Sequence, residues 1–264
     1  YAHAFVILAA CSEVLAGREG AQELLDEALK LYDLRFWNEE EGLSCDTWNT
    51  EFTVLDDYRG LNANMHTVEA FLAAADTTEK EEYRVRAGRI IDRVLGWASA
   101  NDWRIPEHFT KEWEADLDCN KEQPADQFKP YGATPGHGIE WARLITQWAL
   151  STYKEDRQGA EKYIQAAENL FNRAVEDAWN ADGAPGIVYT TDWEGKPVVH
   201  DRMHWTLAEA INTSAVLYHV TKKEKYAENY AEFMEYLDEK VLDHEKGSWF
   251  HQLNEKNEVI GTVW

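Results

Sequence analysis

A histidine returns at nearly the same place in four successive apolar segments, as His3, His66, His137 and His204. The segments read Tyr1-Ala2-His3-Ala4-Phe5-Val6, Asn64-Met65-His66-Thr67-Val68-Glu69, Gly136-His137-Gly138-Ile139-Glu140-Trp141 and Met203-His204-Trp205-Thr206-Leu207-Ala208. Each places the imidazole at or near the start of a helix of small and apolar residues. The intervals are 63, 71 and 67 residues. A period of that length, built of helices, predicts stacked helical hairpins. Hairpins set around an axis would bring the same end of every inner helix to one mouth. Imidazoles gathered there suit proton transfer near neutral pH.

The helices alternate in character. The first of each pair is apolar nearly all round, as in Ala4-Phe5-Val6-Ile7-Leu8-Ala9-Ala10, and is expected to be buried on most sides. The second is amphipathic. Leu24, Leu25, Ala28, Leu31 and Tyr32 recur at helical spacing, as do Tyr83, Ala87, Ile90, Ile91 and Val94. So do Tyr163, Ala167, Leu170, Phe171 and Ala174, and then Tyr226, Tyr230, Phe233, Leu237 and Val241. An inner ring of helices wrapped by an outer ring accounts for both patterns. After each outer helix comes a long loop headed by Trp37, Trp103, Trp179 or Trp249. Residues 186–191 and 196–199 flank the turn Asp192-Trp193-Glu194-Gly195 as a hairpin; residues 249–253 and 259–263 do the same around Asn254 to Glu258. Long ordered loops of this kind commonly carry function. The expected architecture is all-α: one α/α barrel domain over residues 1–264, with about four hairpins and short β-hairpins over the mouth.

A formal charge of −23 argues against nucleic acid and anionic membrane surfaces as partners. The longest apolar run, Ala4 to Cys11, is too short to span a bilayer. Cys11, Cys45 and Cys119 follow no metal spacing and suggest a reducing, cytoplasmic setting. Cys11 reads as a core residue. The chain opens at Tyr1 inside a helix start and stops at Trp264 after a strand-like stretch, so it is expected to be a piece of a longer chain.

His137 and Glu140 share a helix face at i, i+3, where a carboxylate can orient an imidazole and raise its basicity. Alone, such a pair is ordinarily structural; its recurrence in a ring of similar positions points to chemistry. Asn62 and His66 share a face at i, i+4, with Asn64 off that face as a cap. Arg59 precedes this helix, placed either to bind a substrate oxygen or to make a local salt bridge. His200 and His204 have a spacing seen in zinc sites, but no third ligand accompanies them. Trp205, with Glu209 one turn on, offers an aromatic platform for the C–H face of a sugar. Trp103, Phe109, Trp193 and Phe250 are candidates to complete such a pocket. No phosphate-cradling glycine loop, dinucleotide fingerprint or nucleophile elbow is present, which argues against a nucleotide cofactor.

Taken together, residues 59–66, 130–141 and 201–210 resemble the N-acylglucosamine 2-epimerase superfamily, and within it the D-mannose isomerase branch. The resemblance runs over the whole chain. It implies an (α/α)6 barrel, no metal or other cofactor, and interconversion of an aldose and a ketose, mannose and fructose being the usual pair. By resemblance, His137 is the central acid–base histidine and Glu140 its carboxylate partner. Asn62 and His66 are the sugar-binding pair, and Trp205 is the stacking residue. Tyr1 and Gln252 resemble further substrate contacts. His66 is counted with the catalytic group, and Arg59 and His204 with the substrate-binding one. The family's second acid–base histidine would fall beyond Trp264, and an arginine would precede Tyr1. The loop 125–129 lacks the arginine that a sulfonate or phosphate would want, although it carries Lys129, so a small neutral sugar is the expected partner. Self-association is left open.

Three rival readings accompany this one. A 2-epimerase of the same family uses the same groups. An inverting glycosidase would need two facing carboxylates, with Glu107, Glu140, Asp192 and Glu209 available. A non-catalytic helical-repeat module would bind a protein through its mouth.

Overall fold

A computed structural model describes residues 1–260. They fall into two compact units, residues 1–96 with 107–116, and residues 97–106 with 117 onward. The helices are α1 (Ala2–Leu15), α2 (Ala21–Arg35), α3 (Leu61–Thr78), α4 (Glu81–Ala100), α5 (Pro135–Thr152), α6 (Arg157–Ala178), α7 (His204–Thr221) and α8 (Glu224–Tyr236), the last continued by a π-turn, Leu237–Val241. No helix among the described residues is long and apolar enough to cross a membrane.

In the first unit, α1 packs against both α2 and α3. Leu61, Met65, Val68, Phe71 and Ala75 recur every three to four residues along α3 and are buried, as that period requires. From α2 the buried set is Leu25, Ala28, Leu29 and Tyr32. Leu24, expected on the inner stripe, is exposed, and Leu29 takes its place: the stripe is rotated by part of a turn. Tyr32 is wholly inside and its hydroxyl meets Ser44 Oγ at 3.1 Å and the hydroxyl of Thr67. Burial pushes its phenol up to about 12. It thereby ties α2 to α3 through groups that have no water to turn to.

In the second unit, α5 packs against α6 and α7, and α7 against α8. Flanked on two sides, α5 is the most enclosed helix; between Pro135 and Ala149 only His137 and Gln147 reach solvent appreciably. By contrast, α1 leaves Phe5, Val6 and Leu15 exposed. An all-round apolar composition therefore does not mean equal burial in the two units. The α6 set Tyr163, Ala167, Leu170, Phe171 and Ala174 is buried as its spacing predicts.

Short antiparallel strands organise the loops: β1 (Trp37–Asn38) with β2 (Leu43–Ser44), β3 (Arg59–Gly60) with β4 (His108–Phe109), β5 (Thr190–Thr191) with β6 (Pro197–Val199), and β7 (Arg202–Met203) with β8 (Gln252–Leu253). The hairpin expected around Asp192–Gly195 is β5–β6. Around Asn254–Glu258 the chain also turns back, by a single Leu253–Val259 bridge, while β8 gives its main pairing to β7. Gly261, Thr262 and Val263 of that expected strand lie outside the described residues.

These pairings share a plan. The residues just before α3, α5 and α7 are each bonded to the loop that leaves the outer helix of the same hairpin. Arg59–Gly60 pairs with His108–Phe109, Ala133 with Thr191, and Arg202–Met203 with Gln252–Leu253. Gly132 shows how close the approach is: with φ +90°, a Cβ there would lie 2.1 Å from the Thr191 carbonyl oxygen.

A buried ion pair holds the approach to α7. Arg202 donates Nη2 to Asp182 Oδ1 at 2.6 Å and Nη1 to Asp182 Oδ2 at 2.8 Å. The remaining donors of Arg202 meet the carbonyls of Ala184, Pro185 and His200. Arg202 holds the Asp182 carboxyl far below the usual carboxylate range. Removing one charge of such a pair strands the other, so Asp182→Asn is expected to destabilise the protein by about 3 kcal/mol at pH 7. Because the folded carboxyl titrates below the unfolded one, this contribution is present above roughly pH 4 and is lost as pH falls further. Urea unfolding at pH 7 and pH 3 should show a large gap between wild type and variant at the first pH and a smaller gap at the second.

Candidate active site

In the second unit the site grows from the entry to α5. Thr134 is the N-cap and Pro135 starts the first turn, where its missing N–H costs nothing. His137 is the third helical residue, and its imidazole lies beside Trp205 with ring centroids 5.3 Å apart and planes tilted 34°. Tyr189 meets Trp205 edge-on at 6.2 Å. Gly136 makes this possible: a Cβ there would stand 2.7 Å from Trp205 Cη2 and 2.6 Å from Thr206 Cγ2.

One turn further along α5, Glu140 is buried, with Arg143 Nη2 at 3.7 Å from its Oε1. Arg143 reaches across to α7 and grips Glu209 with Nε at 2.7 Å and Nη2 at 3.1 Å. Two carboxylates and one guanidinium thus meet between α5 and α7. Arg143 was not a candidate from sequence. Its signal is an arginine amid an apolar run, one turn beyond Glu140.

Where α7 begins, His204 Nδ1 lies 3.1 Å from the His251 carbonyl oxygen and its ring is 4.6 Å from the His251 ring. Burial first, and the His204 imidazole second, hold His251 below its ordinary value. His200 lies ahead of β7 and bonds Asp182 Oδ2 through Nδ1 at 2.8 Å, so the two histidines of the zinc-like spacing stand on different elements with different partners. Gln252 is buried on β8, opposite Met203, and donates Nε2 to Asp201 Oδ2 at 2.6 Å. Its Oε1 is buried without a partner among the described residues. Trp193 is tied by its indole N–H to the Leu117 carbonyl at 2.7 Å.

The first unit carries the other group. Asn64 is not a simple cap. It accepts from Ser44 N at 2.8 Å and donates to the carbonyls of Ser44 and Gly60 at 3.0 Å, clipping β2 to the start of α3. Asn62 Oδ1, in the first turn of α3, is buried without a partner among the described residues. Arg59 is buried and donates Nη1 to the carbonyls of Asp56 and Tyr58, while its Nε has no partner among the described residues. His66 lies a turn and a half into α3 rather than at its start. Its Nδ1 is 3.2 Å from Glu69 Oε2, and its ring packs against Phe5 at 4.7 Å and Tyr1 at 5.2 Å. Glu69, three residues on, is the orienting carboxylate that the reading of this helix left out. His3 packs on Phe36 at 4.5 Å instead. Phe109, a candidate pocket aromatic, is core, sandwiched in the β3–β4 ladder against Trp113.

The chain matches the family described as N-acylglucosamine 2-epimerase (GlcNAc 2-epimerase) over residues 1–264. It is 43% identical over 265 residues to a D-mannose isomerase of Pseudomonas cannabina pv. alisalensis, covering 100% of this chain and 64% of that protein. It is 42% identical over 255 residues to a D-mannose isomerase of Thermobifida fusca, covering 96% of this chain and 62% of that one. A crystal structure of a D-mannose isomerase superposes with a TM-score of 0.90 at 32% identity, covering 97% of this chain and 64% of that chain. The chain spans less than two thirds of the length of these relatives. The fold is that of the (α/α)6 toroid. On these grounds the chain belongs to the N-acylglucosamine 2-epimerase family.

Proposed function

We propose that the protein is an aldose–ketose isomerase of the D-mannose to D-fructose type. The observation that carries this reading is the 43% identity, along the full chain, to a protein named D-mannose isomerase. The geometry around α5 and α7 supplies the division of labour.

The C2 hydrogen of an open-chain aldose is acidic because it adjoins the C1 carbonyl. His137 takes that proton, the C2–H electron pair becomes the C1–C2 double bond, the C1 carbonyl π pair moves onto O1, which picks up a proton, and a cis-enediol forms. Return of the proton from His137 to C1, as the O2 hydroxyl gives up its own proton and its electron pair forms the new carbonyl, gives the ketose. Imidazole suits both directions because it titrates near working pH. Trp205, held against His137, offers its face to the C–H side of the sugar. Glu140, with Arg143 Nη2 at 3.7 Å, serves as an acceptor for sugar or imidazole protons. Asn62 and His66 take the sugar-oxygen roles that the family resemblance gives them, with Glu69 fixing the His66 ring. Tyr1, Arg59, His204 and Gln252 are assigned to substrate binding. The odd number and spacing of Cys11, Cys45 and Cys119 support a reducing, cytoplasmic setting.

The test is to incubate the full-length protein with D-mannose in heavy water and follow it by NMR. Fructose carrying deuterium at C1 supports the reading. Glucose carrying deuterium at C2 would make it an epimerase, and unlabelled, unchanged mannose would refute both. His137→Gln is expected to lower turnover and label uptake together by ~10²–10⁴-fold. Gly136→Ala pushes a methyl into Trp205 and Thr206, and overpacking of this sort costs about 1–3 kcal/mol. Its melting temperature should fall even though alanine is the better helix former, and kcat/KM for mannose should fall about tenfold or more through displacement of Trp205. Steady-state kinetics beside a thermal melt checks both.

A further inference from the structure

We propose that Asp201 is a positioning residue that fixes the amide of Gln252 with its carbonyl end presented to a sugar hydroxyl. The inference rests on the reading of Gln252 as a substrate contact and adds a residue with no assigned role.

Asp201 stands two residues before Met203, and Met203 faces Gln252 across the β7–β8 pair. The period of two along a strand puts Asp201 and Met203 on one face, diagonal to Gln252. The 2.6 Å contact from Gln252 Nε2 to Asp201 Oδ2 follows from that register. An ionised carboxylate only accepts, so it can bond the NH₂ end of the amide and not the carbonyl end. The choice between the two orientations of the amide is therefore made by Asp201. The other end, Oε1, is left buried and without a donor among the described residues, on a residue only 8% exposed. A buried carbonyl in that state is costly to keep and is best explained by a donor that arrives with a ligand. A sugar hydroxyl is such a donor. Gln252 closes the ladder that leads into α7, whose first two residues are His204 and Trp205. Were the amide turned over, an N–H would face the ligand and the acceptor would be lost, so Asp201 selects which hydroxyl geometry is received.

The test is a double-mutant cycle on the mannose reaction with Gln252→Ala, Asp201→Ala and the pair together. If Asp201 acts through Gln252, each single variant lowers kcat/KM by about three- to tenfold, the worth of one neutral hydrogen bond. The double variant then falls no further than Gln252→Ala alone. Asp201→Asn, whose Oδ1 still accepts from Nε2, should restore activity to within about threefold of wild type. A merely structural Asp201 would move the melting temperature without this rescue pattern. Asp201 is half-buried rather than enclosed, and Asp201→Ser replaces the alanine variant if that one is unstable. Additive losses, or an Asp201→Ala protein as active as wild type, would overturn the proposal. An unchanged Gln252→Ala protein would overturn it too, while leaving isomerisation standing. Wild-type protein that leaves mannose unchanged would remove the reaction on which both depend.

Discussion

Three helix entries in this chain are held by the same backbone bond pattern, and the position of every candidate side chain follows from it. A helix start has unpaired N–H groups and a frayed first turn unless something fixes the residues before it. Here the fixing element is the loop that leaves the same hairpin, bonded to Arg59–Gly60, Ala133 or Arg202–Met203. Side chains then reinforce each anchor. Asn64 clips β2 to α3, and Asp182 with Arg202 locks the approach to α7. Imidazoles and an indole in first turns held this way lose little further freedom on meeting a ligand, which is the condition for positioned acid–base chemistry.

Much of this was legible beforehand. The outer helices α4 and α6 announce themselves through period 3.6, and each expected apolar position on them is buried. The recurring histidines mark the hairpin repeat, and His137 and Trp205 come together. Less legible was anything decided across the chain rather than along it. The pairing of β7 with β8 joins residues about fifty positions apart, and two-residue strands leave no alternating pattern to read. Arg143 and Asp201 escaped notice for the same reason, since their partners Glu209 and Gln252 are remote in sequence. Helix registers near the ends of the periodic stretches also slipped, as Leu24 and Leu29 show. A stripe one residue wide can rotate by part of a turn without disturbing its average hydrophobicity.

The histidines themselves divide. His137 has an indole at its side, while His66 is oriented by Glu69 and walled by Phe5 and Tyr1. His3 packs against Phe36, and burial lowers its proton affinity. A repeat in sequence thus places a histidine within the first two turns of four helices without giving the four equivalent chemistry. What differentiates them is the neighbour supplied from another helix or loop.

The ladders before α3, α5 and α7 have one more consequence. Between an outer helix and its anchor, or between an anchor and the next helix, the chain is pinned at both margins. Extra residues inserted within such a span would cost only slowly growing closure entropy and would leave the margins where they are. Loops between these anchors can therefore be rewritten in length and chemistry while the helix entries stay put, a division that lets such a scaffold change what its loops meet without being rebuilt.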